Sequence, residues 1–347
     1  MRVLTIDLLK IISIFFVVVS HVTLFFLLRY ENDVILYLYR QAGQLGVSLF
    51  FMCSGYFLLN NKHENQTTYV INKVKKILIV LLFWLSFYYI YDNFFISKFT
   101  TITTVSFLSY VNVSRFISDA THLWFIFAII SLYILTPLIR NSFNPENAKG
   151  LIKIIIIIFV ISNFTLLNAL TDYKYHFSIV PFDILLPFQV EGLLSFLIGG
   201  YIGLTKPKIK PFSFKHIILL VFSIISLILL SFISLRTGMA FFYGKFYNIF
   251  LQISSVCLFL FLVNLSVSKI SSITGDISKN ILGIYLVHNI FVVEIHNDFI
   301  HKFLLKEFHY VNIYVYIIVY SLLAFVLSYM LCVLLRKSKI TSSIITI

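Results

Sequence analysis

The sequence predicts an all-α fold: a polytopic transmembrane helix bundle of about ten spans, with the N- and C-termini both cytoplasmic. Three observations carry this. Hydrophobic residues make up 60% of the 347 positions, charged residues 12%, and mean hydropathy is +0.96. A soluble domain averages about 45–50% apolar and about 25% charged residues, so this chain has too little charge to cover a water-facing surface. A soluble enzyme and a disordered chain are both excluded. Second, the apolar residues gather into ten runs near the ~20 residues that cross a hydrocarbon core. Third, of the 27 Lys and Arg residues, 18 lie in one set of alternate connections and 9 in the other, the asymmetry that marks cytoplasmic loops. The same rule accounts for the net charge of +13, which in a soluble protein would point to nucleic acid.

The ten segments are 8–28, 42–59, 77–96, 122–139, 152–170, 187–204, 216–235, 247–266, 281–297 and 313–335. The first follows Arg2 and Lys10 as a signal peptide would. No small-x-small cleavage site comes after it, and the chain runs on as LFFLLRYEND, so it reads as an uncleaved span. The second carries SLFFMCSGYFLL, and the third is preceded by Lys73, Lys75 and Lys76. The fourth opens as HLWFIFAIISLYILTPLI. The fifth contains the isoleucine run 154–158, suited to a lipid-facing helix, and the sixth, LLSFLIGGYIGL, looks like the second. The ninth contains GIYLVHNIF. The connections leave no room for a separate catalytic domain, so residues 1–347 read as one integral membrane domain. Cys53, Cys257 and Cys332 sit in apolar runs without metal or disulfide spacing and read as small hydrophobes. No spacing implies a metal or a redox cofactor.

A charge at the bilayer centre costs at least ~2.5–3.5 kcal/mol on insertion scales, so intramembrane ionisable residues are the first place to seek function. They are Lys10, His21, Glu191, His288 and Glu294. Lys10 and His21 are 11 residues apart, almost three whole turns, so they share one face about 16 Å apart along the axis. That stripe runs from the inner interface deep into the bundle. A snorkelling Lys and a core His bonded to a neighbouring helix also fit it, and Asp7 is spaced to pair with Lys10. His122 and Trp124 fit either a site or an interfacial anchor. His288, three residues after Tyr285, fits a site or a Tyr–His hydrogen bond. Ser54 and Gly55 fit close helix packing. The Lys73–Lys76 cluster fits a topology signal or a phosphate cradle. Glu191 and Glu294 lie near outer ends, within reach of water. His63, His176, His216, His296, His301 and His309 read as loop or edge positions.

Together these segments resemble the acyltransferase-3 family of integral membrane acyltransferases. IDLLKIISIFFVVVSHV resembles its opening helix, in which a basic residue precedes a His by ten intervening positions, here Lys10 and His21. GVSLFFMCSGYFL matches its second-span motif, with Ser54, Gly55 and Tyr56 in register. NKVKKIL resembles its basic motif before the third span. HLWFIFAIISLYILTPLI matches the His-x-Trp-Phe segment, and GIYLVHNIF the late Tyr-x-x-His segment. The resemblance covers residues ~1–335. It departs where the family usually has Arg: Lys10 and the all-Lys motif keep the charge but lose the planar bidentate fork.

The resemblance implies the stand-alone branch, without a fused soluble domain, which acylates envelope polysaccharides or their lipid-linked precursors. O-acetylation is the usual outcome and O-succinylation an occasional one. It implies acyl-CoA, most often acetyl-CoA, as co-substrate rather than a bound cofactor. The partners it implies are a cell-surface glycan or lipid-linked sugar and the lipids of the plasma membrane. Lys10, Lys73, Lys75 and Lys76 would bind the donor, and His21 would be the general base. Asp7, Ser54, Tyr56, His122, Trp124, Tyr285 and His288 would support the site or the acceptor side. A non-enzymatic glycan flippase or acyl exporter would use the same stripe as a pathway. Against it, no Gly- or Pro-broken helices recur in paired halves. A glycan polymerase would carry a longer outer loop.

Overall fold

A computed structural model describes residues 4–27, 30, 32–61, 65–96, 106–107, 110–111, 119–175, 192–236, 248–265, 272–297 and 312–346. Arg2, Arg29, Lys62, His63, His176, Glu191, His301 and His309 fall outside them, as do the side chains of Lys174 and His296. Among the described residues the chain is all-helical. Each of the ten apolar segments contains one helix: α1 (Leu4–Leu27), α2 (Val34–Leu58), α3 (Gln66–Ile90), α4 (Trp124–Ile139), α5 (Ala148–Tyr175), α6 (Leu193–Thr205), α7 (Phe214–Arg236), α8 (Ile249–Val263), then α10 (Ile281–Asn297) and α11 (Ile313–Leu335). Between them lie the short α9 (Ser272–Lys279) and, at the end, α12 (Lys339–Ser343).

Side-chain caps set several boundaries that hydropathy places differently. Asp33 accepts from Ile35 N at 2.8 Å, so α2 starts eight residues before its apolar run. Asn65 starts α3 eleven residues early by accepting from Thr68 N at 3.0 Å, and Asn312 caps α11 through Tyr314 N at 2.9 Å. The first turn of α3 carries Gln66, Thr67 and Thr68, which a hydropathy window discounts, whereas α11 begins where its apolar run does. At its far end α3 widens into a π-helical turn, Tyr91–Ile96. The start of α6 is Gly192, in the left-handed region at φ 79°.

Four stretches, Leu4–Leu27, Ala120–Ser142, Phe214–Arg236 and Ile313–Leu335, are long and apolar enough to cross a membrane by length and composition. Their neighbours present apolar surface that water would not tolerate: Ile154, Ile156 and Ile157 are each more than half exposed. With that surface, the protein is a helical membrane protein.

The chain divides into two compact units, each assembled from two stretches: Met1–His63 with Leu135–Ser278, and Glu64–Ile134 with Lys279–Ile347. In the first unit α2 is the hub. Gly43 and Gly46 sit against α1, where a Cβ would meet Ser20 and the Ser13 carbonyl. Gly55 sits against α6, where a Cβ would land on the Phe196 carbonyl; reciprocally, one on Gly199 would land on Met52 backbone. Ser48 and Ser195 share a hydrogen bond of 2.8 Å in the same interface. The two look-alike segments are therefore packing partners, joined through small residues as membrane helices commonly are. His216 is fully buried rather than an edge residue. It receives Phe212 N on Nδ1, reaches Phe261 O with Nε2 at 2.8 Å, and stacks on the Phe261 ring, locking α7 to α8.

Helix directions follow from such pairs. Ser48–Ser195 with Met52–Gly199 makes α2 and α6 parallel, and Tyr56–Phe259 makes α2 and α8 parallel. Ser223–Ser254 with Ser226–Phe250 makes α7 and α8 antiparallel. In the second unit Tyr88–Leu286 and Tyr91–Glu294 make α3 and α10 parallel, and Tyr320–Val292 with Gly283–Cys332 makes α10 and α11 antiparallel. These are the senses produced by a chain that reverses at every apolar segment.

Candidate active site

The first unit presents the Lys10–His21 stripe. Both residues lie on the uninterrupted α1, so helical periodicity keeps them on one face. Lys10 is half-buried, and its Nζ lies 5.5 Å from the Phe57 ring centroid on α2, a cation–π contact. Asp7, one turn earlier, is buried and accepts from Ser278 Oγ at 2.6 Å. His21 is half-buried. Its neighbour Ser20 donates to the Arg40 carbonyl at 3.0 Å, and Arg40 Nη1 returns a bond to Ser20 Oγ at 2.9 Å. With Gly43 against Ser20 and Gly46 against Ser13, these bonds hold α2 onto the part of α1 that separates the cation from the imidazole. Ser54 and Tyr56 are half-buried on α2, and Tyr56 leans on Phe259 of α8.

The second unit gathers a buried ring cluster. His122 ends a short 3-10 turn, Asp119–Leu123, that leads into α4, and it is 3% exposed, so an interfacial anchor is not what the structure places there. Its ring lies 5.2 Å from Tyr88, 5.5 Å from Tyr285 and 5.1 Å from His288. The expected hydrogen bond between the Tyr285 and His288 side chains is replaced by two backbone contacts. The Tyr285 hydroxyl donates to the His122 carbonyl, and His288 Nδ1 lies 2.7 Å from the Tyr285 carbonyl. A carbonyl only accepts, so Nδ1 carries a proton. Trp124 is half-buried beside this cluster in sequence. Glu294 accepts from the Tyr91 hydroxyl, a protein partner rather than open water. Tyr88 is the member that the sequence reading missed: one tyrosine in an aromatic-rich run carries no signal of its own.

At the start of α3, Lys73 is half-buried while Lys75 and Lys76 are exposed. Burial and, second, the Lys76 ammonium hold Lys73 below the ordinary lysine value. Cys53 and Cys332 are buried and Cys257 half-buried. Among the described residues no three metal-ligating side chains converge.

An all-helical membrane chain with a basic residue and an imidazole on its first helix, and a paired-imidazole cluster elsewhere, has the parts for proton and group transfer inside a bilayer. The family model for the Acyltransferase domain of the acyltransferase-3 type matches residues 3–336. The chain belongs to that family and is a membrane acyltransferase; the match spans nearly the whole length of the sequence. Comparison with curated proteins gave no match, and comparison with solved structures gave none.

Proposed function

We propose that this acyltransferase moves an acetyl or succinyl group from cytoplasmic acyl-CoA to a hydroxyl of a cell-surface polysaccharide or its lipid-linked precursor, as a multi-pass protein of the plasma membrane. The observation that carries the reading is Lys10 and His21 on one face of α1, held there by Gly43, Gly46 and the Ser20–Arg40 bonds.

CoA brings several phosphates. Lys10 in the first unit and Lys73, Lys75 and Lys76 in the second are among the cations at the predicted inner ends, and ammonium groups serve as point-charge phosphate ligands. His21 acts as general base. Its imidazole takes the proton of the acceptor hydroxyl as that oxygen attacks the thioester carbonyl, since an ordinary imidazole titrates near pH ~6.5 and accepts a proton at neutral pH. The new C–O bond forms, the C–S bond breaks, and the departing thiolate recovers the proton from the imidazolium. Asp7, Ser54 and Tyr56 support this end of the site. His122, Trp124, Tyr285 and His288 shape the acceptor side, where aromatic faces suit sugar rings.

The test is NMR and mass spectrometry of the surface polysaccharide from wild-type and deletion cells. Loss of an ester with the polymer retained supports the reading. Loss of the whole polymer points to a flippase or polymerase and contradicts it.

A further inference from the structure

The predicted outer half of the first unit has a polar interior in which Arg40, bonded to Ser20, is the charged neighbour of a set of neutral amides and hydroxyls. α2 turns Gln41, Gln44 and Ser48 inward at helical spacing, and α8 does the same with Asn248 and Gln252; all are buried. Much of this set is joined internally: Ser195 meets Ser48 at 2.8 Å and receives Gln252 Nε2 at 2.9 Å. Two atoms are left over. Gln41, 1% exposed, donates Nε2 to Ser234 Oγ at 3.0 Å, while its buried Oε1 meets no hydrogen-bond partner among the described residues. Asn248, 2% exposed, caps α8 by accepting from Phe250 N on Oδ1 at 2.9 Å, while its buried Nδ2 meets none among the described residues. Buried polar groups in native proteins are nearly always satisfied, and exceptions ask for a ligand or a role.

The helix register brings the two atoms to neighbouring levels. Ser48 and Gln252 meet on one Ser195 hydroxyl, and Tyr56 leans on Phe259, so α2 and α8 advance together. One turn toward their starts, Gln44 is level with Asn248, and Gln41 lies within one further turn. The Ser20–Arg40 and Ser20–Gly43 contacts put His21 at this level of α2.

At neighbouring levels the first unit thus offers a desolvated acceptor and a desolvated donor, both neutral amides. A hydroxyl satisfies both kinds, donating to Oε1 and accepting on its oxygen from Nδ2. A carboxylate or phosphate would only accept, and an ammonium would only donate. We propose that Gln41 and Asn248 seat hydroxyls of the acceptor, an uncharged, hydroxyl-rich sugar, at the level of His21. This rests on the acyl-transfer reading above and adds two first-unit amides to the residues that serve its acceptor.

The test uses the full-length protein in lipid nanodiscs, with acetyl-CoA and, in a parallel assay, succinyl-CoA as donor and base-de-esterified surface glycan from deletion cells as acceptor. Gln41→Met removes the acceptor atom and keeps the side-chain length. Asn248→Asp keeps the α8 cap and replaces the donor by a carboxyl oxygen. Each is expected to raise the acceptor KM about tenfold, the scale of one hydrogen bond lost, with the acyl-CoA KM unchanged, and Gln41→Met with the thermal midpoint unchanged as well. Ser234→Ala, which removes Gln41's protein partner together with the Ser234 bond to the Leu230 carbonyl, is expected to leave the acceptor KM as it was. Unchanged acceptor KM in both Gln41→Met and Asn248→Asp, with wild-type transfer intact, overturns the seat alone and leaves these amides as helix glue. Absence of transfer by the wild type overturns the acyl-transfer reading and the seat with it.

Discussion

At the scale of single residues, the substitution of Lys for the family's usual Arg has a specific consequence. An ammonium offers a point charge where a guanidinium offers a planar fork. If Lys10 acts through charge, Lys10→Arg retains transfer, while Lys10→Gln raises the acyl-CoA KM and leaves the acceptor KM unchanged. An acyl-CoA KM untouched by Lys10→Gln would remove Lys10 from the donor site. In the second unit, Tyr285 donates its hydroxyl to the His122 carbonyl. Tyr285→Phe strands that buried carbonyl, at a cost of about 1–3 kcal/mol, and is expected to lower the thermal midpoint in a detergent melt. The two imidazoles of that cluster illustrate what a motif does and does not convey. His122 and His288 stand out in the sequence, but their meeting at 5.1 Å depends on Tyr88, Tyr285 and a 3-10 turn that no spacing reveals.

At the scale of elements, close approach is the recurring device. Gly55 opposes the Phe196 backbone and Gly199 the Met52 backbone, and backbone cannot swing aside as a side chain can. Gly55→Ala is expected to destabilise by about 1–3 kcal/mol, the usual cost of overpacking. A Cβ on Gly150, near the start of α5, meets nothing within 4 Å. Gly150→Ala is expected to be neutral or stabilising by up to about 1 kcal/mol, since it removes only a helix-propensity penalty. Equal effects of the two changes would contradict the packing described for α2 and α6. The likeness between SLFFMCSGYFLL and LLSFLIGGYIGL was legible in the sequence, and so was the packing role of Gly55. That the two segments pack on each other was not, because pairing between distant segments leaves no trace in a single chain. Gly43 and Gly46 went unnoticed for the same reason. The inward amides, Gln41, Gln44, Asn248 and Gln252, escaped a search for charged residues within the spans, although an uncharged amide in a bilayer also needs a partner.

At the scale of the whole molecule, hydropathy located the ten long helices among the described residues but not the short α9 and α12, nor the early starts that Asp33 and Asn65 cap. The parallel and antiparallel senses within each unit agree with a chain that turns back at each segment. Which end faces the cytoplasm rests on the Lys and Arg asymmetry alone. Exposed Asn32 and Ser338 test it, because the native thiols are buried or half-buried. Asn32→Cys is expected to react with a membrane-impermeant maleimide on intact cells and Ser338→Cys only after the inner face is opened. The reverse pattern would invert the bundle and take the Lys10 end away from acyl-CoA.

The central claim is that His21 performs the chemistry. It is tested most directly by counting acyl esters on the surface glycan of cells carrying His21→Ala at wild-type protein levels. The ester is expected to disappear while the glycan itself persists. Normal acylation by that variant would contradict the assignment.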